Sequence, residues 1–141
     1  MTISFEAERF ETSIATIVRT RPDMMEIRYK PGSTMDMAGV KEIHEVRARI
    51  FGDRPYASLS LIPEDVDFQL DITLRDHYST SRGNDGLVAW ATVARGAMLD
   101  MIAKLYFSYF PQTFPVLTTA NEQEARVWIE AQLDKNAKST G

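Results

Sequence analysis

Leu87-Val88-Ala89-Trp90-Ala91-Thr92-Val93-Ala94 is a near-continuous apolar run broken by one hydroxyl. Such a run, bounded by turn signals, predicts a central strand covered on both faces. Its surroundings agree. Ser79 to Gly86 (STSRGNDG) has the composition of a loop. Ala97 to Phe110 has a helical pattern, which Pro111 stops. A strand covered on both faces needs layers above and below it, so the search widens to what supplies them.

Toward the N-terminus, Pro55 to Ile62 predicts a strand with Ala57, Leu59 and Leu61 on one face and Tyr56, Ser58 and Ser60 on the other. Pro63 ends it. Before it, Asp36 is a good N-cap for a helix to about Phe51, in which Met37, Val40, Ile43, Val46 or Arg47, and Ile50 share one face. Gly52 stands where the helix should end. Ser13 to Arg19 is rich in β-branched residues, and Met24 to Lys30 alternates, with Met25, Ile27 and Tyr29 opposite Glu26, Arg28 and Lys30. Arg21-Pro22-Asp23 between them is a turn, so the two form a hairpin. Toward the C-terminus, Phe114 to Thr118 predicts a strand that Pro115 confines to an edge. A last helix starts at a cap on Thr119 or Asn121 and buries Ala125, Trp128, Ile129 and Leu133. Residues 66 to 78 carry conflicting signals: Val66, Phe68, Leu70, Ile72 and Leu74 alternate, yet Asp71 is placed to cap a short helix from Ile72 to Tyr78. An extended entry followed by that helix is the favoured reading.

The expected fold is α/β, in the order β-β-α-β-α-β-α-β-α. It has a mixed sheet of about five strands, parallel after an antiparallel hairpin, with helices packed mainly on one face. The 141 residues fit a single domain over 1–141, with 1–11 and 134–141 as weakly ordered extensions.

Composition removes several function classes. The absence of cysteine excludes disulfides, thiolate zinc sites, iron–sulfur clusters and thiol nucleophiles. A net charge of −4 without a basic stripe argues against nucleic-acid binding. No signal peptide is recognised at Met1-Thr2-Ile3-Ser4-Phe5-Glu6, and Ala97 to Phe110 is shorter than the roughly 20 residues of a membrane span, so a cytoplasmic location is expected.

Arg28-Tyr29-Lys30-Pro31-Gly32, Arg54-Pro55-Tyr56, Phe107 to Phe110 followed by Pro111, and Glu124-Ala125 with Trp128-Ile129 together resemble the SpoIIAA-like (STAS/SEC14-like) small bacterial proteins of unknown function. The match spans about Ser13 to Leu133 and implies a STAS-like fold. STAS-family anti-sigma-factor antagonists carry an Asp-Ser-Ser-Gly-like segment with a phosphorylated serine. Here Val66-Asp67-Phe68 resembles the run-up, but Gln69-Leu70-Asp71-Ile72 replaces the motif. No phosphorylation is expected, and Asp71 stands near the usual serine position.

Candidate chemistry is sparse. His44 and His77 have no partner that sequence can assign. Asp76, His77 and Ser79 or Ser81 lie too close along one segment for triad geometry. Glu64-Asp65-Val66-Asp67 offers oxygens to a cation but lacks the spacing of a calcium loop. Glu122-Gln123-Glu124 complements a helix N-terminus. Gly83-Asn84-Asp85-Gly86 leads into a strand, the reverse of a phosphate cradle. No catalytic residue, metal or cofactor is expected.

The most informative stretch is the 97–110 helix. Asp100, Lys104 and Ser108 form one polar stripe, while Met98, Met101, Ile102, Leu105, Tyr106, Phe107, Tyr109 and Phe110 make the helix apolar over far more than one face. A neighbouring helix, a homodimer or partner interface, and the wall of an apolar pocket all fit. The expected function is a non-enzymatic STAS-like binding or regulatory module acting through protein contacts, with those eight residues as interface candidates in a homodimer. The alternative is a SEC14-like domain that binds a lipid or other small molecule in an apolar pocket.

Overall fold

The hairpin forms where the Arg21-Pro22-Asp23 turn predicts it. Its strands are β2 (Ala15–Arg21) and β3 (Met24–Tyr29), paired antiparallel with Ile17 opposite Ile27 and with an irregularity between Arg19 and Arg21. These elements come from a computed structural model that describes residues 8–52, 54–68, 86–94, 96 and 114–140. Before the hairpin lies β1 (Glu8–Glu11), antiparallel to β2. After it come the two-residue β4 (Thr34–Met35), α1 (Met37–Phe51), β5 (Tyr56–Ile62), the two-residue β6 (Asp67–Phe68), β7 (Leu87–Ala94), β8 (Val116–Thr119) and α2 (Glu122–Thr140). The main sheet has the order β1-β2-β3-β5-β7-β8, with β3, β5, β7 and β8 mutually parallel. β4 and β6 form a separate parallel pair.

The mixed α/β class and the parallel succession are as expected, and so are the bounds of the 87–94 strand. The sheet has six strands because Glu8–Glu11 pairs with β2. Both expected extensions contain regular structure: this strand at one end, and α2 continuing to Thr140 at the other. Backbone pairing holds β1 although its side chains are mostly exposed, and Arg9 and Arg19 bridge to Glu11 and Glu8 along it.

Strand register sorts side chains onto two faces. Ile17, Ile27 and Met25 meet Ile43, Val46, Ile50 and Phe51 of α1. Met24, Ala57, Leu59, Ala89, Ala91 and Val93 meet Ala125, Ile129 and Leu133 of α2. The two described helices therefore cover opposite faces. The expectation of packing mainly on one face involved two further helices, at 72–78 and 97–110, which lie outside the described residues.

Local chemistry sets both helix starts. The Asp36 carboxylate accepts from the Gly39 amide at 2.7 Å, and the Asn121 side chain accepts from the Glu124 amide at 3.0 Å. Of the two starts open in the sequence, Asn121 is the cap. Thr119 is used one step earlier, its hydroxyl accepting from the Asn121 amide at 3.0 Å.

Candidate functional site

The eight interface candidates, Met98, Met101, Ile102, Leu105, Tyr106, Phe107, Tyr109 and Phe110, lie outside the described residues, as do Asp71, His77 and the loop serines. His44 is half-buried on α1. Glu64 and Asp65 are exposed turn residues between β5 and β6. Among the described residues no three His, Asp or Glu side chains gather as a metal site.

The sheet brings two other groups together, and the sequence flagged neither. The first is an ionic clasp. Glu26 on β3 is fully buried. Register places it beside Leu59, on the face that α2 covers. Arg126 of α2 forks onto its carboxylate at 2.7 and 3.2 Å, and Arg28 adds a 3.0 Å contact. Arg126 also donates to Glu122, one helical turn back, at 3.0 Å. Burial alone pushes the Glu26 carboxyl up. Hydrogen bonds and charge from Arg126, then Arg28, outweigh it and hold the group below the usual carboxylate range. Glu26 is thus fixed as an anion and has no proton to give near neutral pH. The hydrogen bond to Glu26 raises the Arg126 guanidinium further above its already high value. Tyr29, on the opposite face, is pushed up by burial and stays a phenol.

The second group is a row of polar side chains on the α1 face of β5 and β7. Ser58 pairs with Trp90 and Ser60 with Thr92 across the two strands. All four are buried, whereas the buried side chains on the same face of β2 and β3, such as Ile17, Met25 and Ile27, are apolar. Trp90 Nε1 donates to Ser60 Oγ at 3.2 Å. Thr92 Oγ1 is buried and makes no hydrogen bond. An unmet buried hydroxyl costs about 1–3 kcal/mol, so its retention calls for a physical reason. The row can donate to and accept from a polar group laid against it. It contains no acid, base or activated nucleophile, so what it offers is binding. This row is the candidate site.

Sequence reasoning placed Ser58 and Ser60 with Tyr56 on one face of a strand but gave that face no role. The signal was available: the strand beside it, 87–94, was predicted to be covered on both faces, and a neighbour in register must be covered too.

A crystal structure of an uncharacterised protein of the DUF3478 family from Shewanella loihica PV-4, described as having a SpoIIAA-like fold, superimposes with a TM-score of 0.51. The alignment covers 92% of this chain and 98% of that one at 9% identity. The likeness lies in the fold, which is SpoIIAA-like here as the sequence motifs implied. No curated protein matches the chain. Residues 18–133 match the model of a domain of unknown function, DUF7793, and the chain belongs to that family.

Proposed function

We propose that this protein is a non-enzymatic binding module of cytoplasmic type that acts through protein contacts as a homodimer. The observation that carries the non-catalytic reading is the use made of Glu26. It is the one buried charged side chain among the described residues, and it is locked between two arginines to hold α2 on the sheet. A general acid or base works best with its pKa near working pH and its oxygens open to substrate, whereas Glu26 is held below that range with its oxygens engaged by arginines. The contact mode draws support from the 97–110 sequence, whose apolar surface exceeds what one sheet requires.

Light scattering tests the assembly. A dimer mass that Phe107→Asp converts to a monomer, with circular dichroism unchanged, is the expected result. A monomer at every concentration, indifferent to that substitution, would overturn it.

The buried Thr92 hydroxyl favours a second reading, a small-molecule domain whose ligand brings at least one polar atom to the Ser60–Thr92 row. Native mass spectrometry of freshly purified protein should then show a retained ligand that Thr92→Val releases. Protein of bare mass counts against it.

A further inference from the structure

Away from the polar row, at the end of the sheet where β3 and β5 begin, a cleft of about 420 Å³ opens between Arg19, Arg21, Pro22, Asp23, Arg54 and Pro55. Among the described residues, three guanidinium groups and one carboxylate line it, in a chain whose net charge is −4. We propose that this cleft binds a phosphate-bearing group, either free or on a lipid headgroup.

Each arginine is held in place by the fold. Arg19 lies 5.5 Å above the Phe51 ring, which stacks on Tyr56 at 4.4 Å with the planes 10° apart. It donates to Glu8 at 2.8 Å and to the Pro22 carbonyl at 3.0 Å. Phe51 and Tyr56 are almost completely buried, so this column is a rigid base for the cation. Arg21 lies along Asp23, with contacts of 2.6 and 3.2 Å, and stands 3.9 Å from the Asp134 carboxylate of α2. Arg54 caps the C-terminus of α1 by donating to the Ile50 and Phe51 carbonyls, and no carboxylate among the described residues stands at ion-pair distance from it.

A guanidinium has five donors in a planar fork, and among the described residues neither Arg21 nor Arg54 uses all of its donors. The competing carboxylates of Glu8, Asp23 and Asp134 are half-buried to exposed, and ion pairs this open to solvent are weak enough for a doubly charged phosphate to displace. Pro22 and Pro55 add apolar walls for the carrier of the phosphate. The volume is within the usual range of small-ligand sites.

Calorimetric titration with inorganic pyrophosphate at fixed ionic strength tests the site. Saturable binding is expected. Arg54→Gln and Arg21→Gln should each weaken it about tenfold, the scale of one lost charge-assisted contact. Asp23→Asn, which removes the carboxylate from the lining, should tighten it. Arg54 is exposed, so its variant should keep the parent's circular dichroism. No saturable binding, or binding indifferent to all three substitutions, overturns the proposal. Sedimentation with phosphatidylcholine vesicles, with and without phosphatidic acid, identifies the source. Arginine-dependent pelleting only with phosphatidic acid assigns the site to a headgroup, and pyrophosphate binding without pelleting assigns it to a soluble phosphate.

Discussion

The two faces of the sheet solve the same packing problem from opposite sides. Under α1 the helix supplies the small residue: Gly39 lies so close to Ile14 that an added Cβ would stand 2.5 Å from Ile14 Cδ1. The sheet and the bend that leads into β2 supply the bulk through Ile14, Ile17, Met25 and Ile27. Under α2 the small residues are in the sheet, where Ala57, Ala89 and Ala91 alternate with larger Leu59 and Val93, and the helix brings Ile129 and Leu133 down onto them. The α2 face also encloses a charge at Glu26, whereas the α1 core has none. One face should therefore fail when it is overfilled, the other when it is emptied or its charge is left unpaired.

The largest effect should come from emptying the α2 face. Ile129 is fully buried against a sheet face that mixes Ala57, Ala89 and Ala91 with Leu59 and Val93, all almost completely buried and with little room to fill the space it would leave. Ile129→Ala should lower the unfolding free energy by about 3–4 kcal/mol, measured by urea denaturation. A loss near that of a surface substitution would mean that this face of the sheet does not depend on α2.

Removing one partner of the clasp comes next. Arg126→Met should cost about 3 kcal/mol near neutral pH, because Glu26 stays buried with only Arg28 beside it. Acid should narrow the gap. The folded carboxyl titrates below its unfolded value, so its contribution is complete above the unfolded pKa and is lost as pH falls through the folded one. Parent and variant should thus converge on acidification. Parallel pH profiles would show that the charge of Glu26 is not what holds α2.

The difference between the faces also explains what could be read from the sequence. Elements set by local chemistry were legible: the Asp36 cap, the bounds of the 87–94 strand, and the Ala125, Ile129 and Leu133 stripe. Glu26 was not, because alternation in Met24 to Lys30 sends it to the polar side. That side is buried only because a helix one hundred residues later brings Arg126 to it. Glu8–Glu11 was missed for a related reason. Its side chains carry no apolar pattern, and it is a strand through backbone pairing with β2. The two-residue β4–β6 pair is too short to leave a period at all. What escapes a reading of the sequence here is what depends on a distant partner.

Overfilling the α1 face should have a smaller effect. Gly39→Ala gains about 1 kcal/mol of helix propensity. It also drives a methyl group into a β-branched side chain with little freedom to move. A net loss of about 1–2 kcal/mol is expected. Ile14→Val in the same chain should recover part of it, because a shorter side chain gives Cβ room. Net stabilisation by Gly39→Ala would show that the two elements are less tightly apposed.

The smallest effect separates the two halves of the α1 face itself. Over β2 and β3 the buried residues of that face are apolar, while over β5 and β7 they include Ser58, Ser60 and Thr92. If the Thr92 hydroxyl is unmet, Thr92→Val replaces it with a methyl of similar volume and removes a desolvation penalty. Stability should rise by up to about 1 kcal/mol. Ser60→Ala should go the other way by a similar amount, since it removes the acceptor of Trp90 Nε1. Thermal unfolding of the two variants in parallel gives the comparison. Opposite signs mean that the row holds one satisfied and one unmet hydroxyl, the asymmetry that a polar ligand would exploit. A loss in both would mean that Thr92 is satisfied within the protein, and the second reading of function would lose its ground.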